Sequence, residues 1–304
     1  MHFNISIIGF GNIGKAICTM LLAKKELNFT LNVVDSKSYE YVTGTILDMH
    51  HGLQLCDNHQ LHYNNDDLLE KADFVFHCAG ASVPKGKSRL HTAQASIEIT
   101  KSIFKSQKFT NEPFIIVISN PVELITNITL QLTGLTEHKV VGTGTFLDSQ
   151  RMDYYVKQHL TNANDVKCIV LGEHGETMFL SNQLTSIEGQ PIQSHFSDQV
   201  IHDLMLQVQQ SPEKIKMTQD ATIYGVSLCA IRIFEALLSD EKYAAPVSIA
   251  IPNQLKSDLE LPNMALSLPA LINKKGVFFD KTYRPNDIES EQLLNSADLL
   301  KGYL

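Results

Sequence analysis

The sequence predicts an α/β protein whose first half is a doubly wound parallel sheet, and three observations predict it. Short apolar, β-branched runs alternate with helix-length amphipathic stretches through the first half of the 304 residues. The first run ends in a glycine-rich turn, GFGNIG from Gly9 to Gly14, which opens directly into a helical pattern. The second run ends in an acid, Asp35, 21 residues after Gly14.

Residues 3–8 form the first strand, and Ala16, Ile17, Met20 and Leu21 then recur at helical spacing. The next strand, residues 31–34, closes on Asp35. This strand, turn, helix, strand order is that of a dinucleotide-binding unit. Gly9 permits the tight turn, Gly11 lets the backbone approach a pyrophosphate, and Gly14 lets helix and strand pack closely. The helix N-terminus at Asn12 and Ile13 offers its N–H groups to phosphate oxygens. Asp35 accepts hydrogen bonds from a ribose diol and repels a 2′-phosphate, which favours NAD over NADP, although Lys37 stands close by.

Further strands at residues 74–78 and 114–118 flank a helix at 97–106. In such a sheet the chemistry lies beyond the carboxyl ends of the strands. One strand stops at Ala79 and Gly80, before a lysine-rich loop over residues 82–89. The other stops at Ser119, Asn120 and Pro121, where proline ends the strand and leaves an amide at its tip. Ala79, Gly80 and Asn120 are therefore expected to face the cofactor.

In the second half, Gly142 to Thr145 lead into a helix over residues 147–159 that carries Asp148 and Arg151 on one face. On that segment alone, a surface ion pair and a functional pair are equally good readings. A β-rich stretch over residues 167–193 contains LGEHGE, with His174 between Glu173 and Gly175. A helical pattern over residues 212–237 includes ATIYG, from Ala221 to Gly225. The tail has apolar runs at 246–251 and 276–279 and an amphipathic end rich in Glu, Asp and Leu. The change of pattern divides the chain into a dinucleotide-binding domain, residues 1–142, and a substrate and catalytic domain, residues 143–304.

Composition narrows the function classes. A net charge of −8 with no dense basic run gives no footprint for nucleic acid. Five scattered cysteines, Cys18, Cys56, Cys78, Cys168 and Cys229, lack the spacing of a zinc site or disulfide scaffold, so they read as buried thiols and no metal is expected. No stretch approaches the apolar length of a membrane span, and the first residues lack the pattern of a signal peptide. A cytoplasmic protein without membrane partners is expected.

Six segments, GFGNIG with Asp35, HCAGASVPKGKSRL, ISNPVE, GTGTFLDSQR, LGEHGE and ATIYG, stand in the order found in the lactate and malate dehydrogenases. The chain resembles that family of L-2-hydroxy acid dehydrogenases, and the bacterial L-lactate enzymes most. The resemblance implies an N-terminal Rossmann domain, an α+β substrate domain, NAD as cofactor, a small 2-oxo or 2-hydroxy acid as substrate, and assembly as a homodimer or homotetramer. It also implies roles. His174 resembles the proton-transfer histidine, Asp148 the carboxylate that orients it, and Arg151 the guanidinium that grips the substrate carboxylate. Arg89 resembles the loop arginine that polarises the carbonyl, Asn120 the strand-end amide near nicotinamide, and Thr222 a pocket-wall residue.

Those types suit the chemistry. Reduction of a 2-oxo acid builds charge on oxygen, which an acid must protonate and a cation stabilise. A guanidinium holds a carboxylate through two parallel hydrogen bonds, which lysine cannot do.

The family's substrate-reading position, six before the loop arginine, is Val83 here. Valine cannot pair a second carboxylate, so an apolar 2-oxo acid is expected over oxaloacetate, unless Lys85 or Lys87 supplies the missing cation. A second reading, of a different class, is an NAD(H)-binding non-catalytic homologue that acts as a sensor or regulatory partner. The unusual loop and a tail that thins in resemblance beyond Ser239 motivate it. Retention of His174, Asp148, Arg151, Arg89 and Asn120 weighs against it.

Overall fold

The computed structural model describes residues 2–56, 58–82, 89–219 and 221–303, with the backbone alone for Arg89. The first half alternates through β1 (Phe3–Ile8), α1 (Asn12–Leu22), β2 (Phe29–Val34), α2 (Tyr39–Leu53), β3 (His59–Tyr63), α3 (Asp66–Glu70), β4 (Phe74–His77), α4 (Ala93–Phe104), β5 (Phe114–Val117), α5 (Val122–Thr133) and β6 (Val140–Gly142). These six strands are parallel, in the order β3-β2-β1-β4-β5-β6. The winding reverses between β1 and β4, and the crevice at their carboxyl ends is where a sheet of this topology receives a ligand.

Helices cover both faces, so the central strands need apolar residues on both sides. Ile5, Ile7, Leu31, Val33, Val75, Phe76, Ile115 and Ile116 are all fully buried. This double burial is why the strands read as continuous apolar runs. β3, with the sequence HQLHY, is an edge strand and only partly buried, and it shows no comparable signal.

The second half opens with α6 (Phe146–His159). Five two-residue strands follow: β7 (Val166–Lys167), β8 (Val170–Leu171), β9 (Phe179–Leu180), β10 (Ser186–Ile187) and β11 (Gln190–Pro191). LGEHGE forms the connection between β8 and β9. The single helical stretch expected over residues 212–237 is instead the end of α7 (Asp198–Lys216) and most of α8 (Tyr224–Leu238). Proline suits a first helical turn, where its missing N–H costs nothing, but Pro212 lies near the end of α7. Two of the five cysteines also depart from expectation: Cys18, Cys168 and Cys229 are buried, while Cys56 and Cys78 are half-buried, and all are free thiols.

The chain ends with β12 (Tyr243–Ala250), α9 (Asn253–Leu259), β13 (Ala265–Asn273), β14 (Gly276–Phe279) and α10 (Asp287–Lys301). The apolar runs at 246–251 and 276–279 fall on β12 and β14, and β13 lies between them. These strands pair antiparallel and extend the first sheet beyond β6 to nine strands, joined where Ser248 meets Gly142. The helix α8 packs back onto the parallel strands, with the Phe234 ring edge-on to Phe74 at 4.9 Å. One apolar cluster therefore includes Ile5, Phe74, Phe234, Leu268 and Leu300. Among the described residues no helix is long and apolar enough to cross a membrane.

Candidate active site

A cavity of about 820 Å³ opens at the carboxyl ends of β1, β4 and β5. Its wall includes Gly11, Asn12, Ile13 and Gly14 after β1, Gly80 after β4, and Ser119 and Asn120 after β5. Gly9 and Ala79 stand behind this wall, packed on each other: a Cβ on Gly9, whose φ is +96°, would lie 2.5 Å from the Ala79 nitrogen. A Cβ on Gly14 would lie 2.0 Å from the Gly9 carbonyl oxygen, whereas one on Gly11 would meet nothing within 4 Å. Gly14 thus serves the close packing of α1 on β1, and Gly11 leaves room for a ligand. Asp35, just past β2, braces the turn by accepting from the Phe10 N–H (2.6 Å) and the Lys37 N–H (2.9 Å).

The other predicted residues meet on the second half's side. The backbone at Gly144 has φ +52°, and a Cβ there would lie 2.6 Å from the Ser248 nitrogen, so glycine is needed to bring β6 tightly into α6 beside β12. The first turn of α6 then buries Asp148, only 1% exposed. Its Oδ1 accepts from Arg151 Nη1 at 2.8 Å, and its Oδ2 receives His174 Nδ1. The two acceptor oxygens of one carboxylate hold both side chains, which makes His174, Asp148 and Arg151 a single cluster. The surface ion pair that equally fits the helix spacing is ruled out by this burial. With Asp148 accepting at Nδ1, that carboxylate sets the tautomer and the orientation of the His174 ring.

The turn that carries His174 is tied down from outside. Gly172 and Ser267 of β13 exchange N–H···O bonds, each 3.0 Å. The Glu173 N–H donates to Ser296 Oγ of α10 at 3.2 Å, and the His174 N–H donates to Glu123 Oε1 of α5 at 3.2 Å. Glu123 and Glu173 are buried acids, 1% and 2% exposed. Burial pushes the Glu123 carboxyl up to about 8, and the neighbouring Glu173 adds to the rise. Both acids stand inside the motifs ISNPVE and LGEHGE, yet no spacing in the sequence joins them.

Thr222 lies on the cavity wall, as expected, together with Ala221. The wall also includes Gln209, Pro212, Glu213 and Lys216 of α7, which sequence reasoning did not single out. Arg89 opens a short 3-10 turn, Arg89–Thr92, next to the wall residue Leu90. The Arg89 side chain, Val83, Lys85 and Lys87 lie outside the described residues. A separate cavity of about 330 Å³, lined by Met178, His202 and Met205 among others, contains none of the predicted residues.

Residues 3–142 match the family model for the lactate/malate dehydrogenase NAD binding domain, and residues 145–304 match that for the lactate/malate dehydrogenase alpha/beta C-terminal domain. The chain belongs to the lactate/malate dehydrogenase family. It is 27% identical over 309 residues to an L-lactate dehydrogenase of Borrelia hermsii, covering 99% of this chain and 96% of that one. The minor L-lactate dehydrogenase from Enterococcus mundtii superposes with a TM-score of 0.86 at 25% identity, over 98% of this chain and 96% of the other. The malate dehydrogenase from Aeropyrum pernix shares the fold, with a TM-score of 0.87 at 23% identity and the same coverage.

NAD is the cofactor of this family's N-terminal domain, and the residues present fit it. The α1 N-terminus has no side-chain cap and no acid in its first turn, so its N–H groups meet the cavity uncompeted. Ser119 Oγ and Asn120 Oδ1 are buried beside the cavity without a hydrogen-bond partner among the described residues, as polar groups placed for a ligand's amide or hydroxyls would be.

Proposed function

We propose that this family member is an NAD-dependent L-2-hydroxy acid dehydrogenase of the lactate type, acting on 2-oxo acids with apolar side chains. The observation that carries the reading is the buried Asp148 carboxylate, which holds His174 and Arg151 together. When bound, NADH supplies the hydride. Arg151 keeps guanidinium donors beyond the one given to Asp148 and offers them to the substrate carboxylate. His174 gives the Nε2 proton to the carbonyl oxygen as charge grows there, and Asp148 steadies the ring through Nδ1–H. Arg89 polarises the carbonyl in this reading, and Asn120 and Thr222 border the reacting carbon.

The preference for an apolar side chain rests on Val83 and on the charges of the wall. The one cation on the described wall is Lys216, which bonds Glu213 at 3.1 Å, and Glu176 and Glu213 add negative charge. A second substrate carboxylate would meet repulsion there. Residues 1–142 hold the dinucleotide and 143–304 the substrate in this reading. In the same reading the enzyme is cytoplasmic and assembles as a homodimer or homotetramer.

NADH oxidation is measured with pyruvate, 2-oxobutyrate, branched 2-oxo acids and oxaloacetate, with His174→Asn as control. The apolar substrates are expected to have the higher kcat/KM, and the variant to lose on the order of 10²- to 10⁴-fold in kcat. A clear preference for oxaloacetate overturns the specificity. NADH binding without turnover of any substrate would instead establish the sensor reading.

A further inference from the structure

Glu123 stands three residues after Asn120, in the first turn of α5, and its buried carboxyl reaches two segments far away in sequence. Its Oε1 accepts from Ser267 Oγ at 2.7 Å and from the His174 N–H at 3.2 Å. We propose that Glu123 is a positioning residue, tying the His174 turn to the Asn120 strand end and to β13 and thereby setting where the imidazole stands. The inference rests on the proposed role of His174 as proton donor.

The turn needs such a tie. His174 is flanked closely by Gly172 and Gly175, whose backbones are the least stiff available. Misplacement of a catalytic group by about 1 Å can cost on the order of 10²-fold in rate. Asp148 fixes the ring nitrogen, but a ring pinned at one atom still swings with its backbone. The bond from the His174 N–H to Glu123 fixes the other end of the residue. A buried acid is costly unless its acceptors are used, and here one oxygen serves both donors.

The charge state suits the task. Two acids enclosed together do not both ionise. Glu173 Oε2 accepts from the Thr177 N–H and Oγ–H, both at 3.1 Å, and burial together with this neighbouring acid favours the protonated form of Glu123. The strands packed against α5, namely β5, β6, β12 and β13, bring no Asp, Glu, Lys, Arg or His. On α4, Glu98 and Lys101 are exposed and bond each other at 3.0 Å. Among the described residues, Glu173 is the titratable side chain that acts on Glu123, and His174 meets it through its backbone N–H.

The test compares Glu123→Leu, which keeps the volume and removes the acceptor, with Glu123→Gln, which keeps a neutral acceptor. With pyruvate and NADH, the leucine variant is expected to lose roughly 10- to 100-fold in kcat while KM and NADH affinity stay within about threefold. The glutamine variant is expected to recover most of that loss. The imidazole ¹⁵N–¹H spectrum of the substrate-free proteins supplies a second readout. The His174 Nδ1–H signal should match wild type in the glutamine variant and shift or broaden in the leucine variant.

Unchanged kcat and spectrum in Glu123→Leu overturn the inference, as does a glutamine variant as impaired as the leucine one. If Glu123→Leu does not fold, the His174 amide resonance decides. It should move between about pH 6 and 9 in wild type more than in Glu123→Gln, because ionisation strengthens the acceptor it faces, and identical movement in both refutes the tie. If wild type turns over no 2-oxo acid yet the His174 ring signal changes in Glu123→Leu, the positioning stands and the dehydrogenase reading falls.

Discussion

Glu123 also couples folding to pH. Its carboxyl rises from 4.5 to about 8 on burial, so the folded chain binds this proton more tightly than the unfolded one. The resulting stabilisation is fully present below about pH 4.5 and is lost progressively as pH climbs to about 8. The melting temperature of the ligand-free protein is therefore expected to fall across that interval more steeply in wild type than in Glu123→Gln, which has no such proton to lose. Parallel melting curves across the pH series would contradict this. At this scale the sequence is legible where function is local in the chain: Asp148 and Arg151 share a helix face and can be read as a pair. It is silent where packing makes the pair, as for Glu123 and Ser267, 144 residues apart.

The element that repays attention is the β1–turn–α1 unit. Replacement of Gly14 by alanine would set a Cβ 2.0 Å from the Gly9 carbonyl, a backbone atom that cannot rotate aside. The helix must then move off the strand, and its N-terminus moves with it. We expect Gly14→Ala to lose about 1–3 kcal/mol of stability and to weaken NADH binding at least about tenfold. Calorimetry and fluorescence titration measure both, and unchanged values would show that the close packing is dispensable. This unit was readable because its strand, turn, helix and acid lie within 35 residues of one another. The junction of α7 and α8 was not, since Pro212 mimics a helix start from inside one. β13 also escaped, because Pro269 inside its nine residues argues against a central strand and only its pairing with β12 and β14 reveals one.

Across the whole molecule, the change of sequence pattern near Gly142 marks a division that the core does not respect. β12 continues the parallel sheet, and Phe234 of α8 rests on Phe74 of β4. Phe234→Ala should cost about 3–5 kcal/mol and lower one cooperative unfolding transition that includes both halves. Two separated transitions in denaturant, with only the second half affected, would mean that the halves fold independently. Pairing of distant strands is invisible in a one-dimensional pattern, which is why the doubly wound half was legible and its extension was not. The late position of the ties on the His174 turn has a further consequence during synthesis. Ser267 grips Gly172 and Glu123, and Ser296 receives the Glu173 N–H. A nascent chain that has emerged only to residue 260 carries every side chain assigned to the reaction, yet it lacks the two serines that hold the turn. The turn is therefore held only once residues through Ser296 have left the ribosome, and shorter nascent chains hold the parts without the geometry.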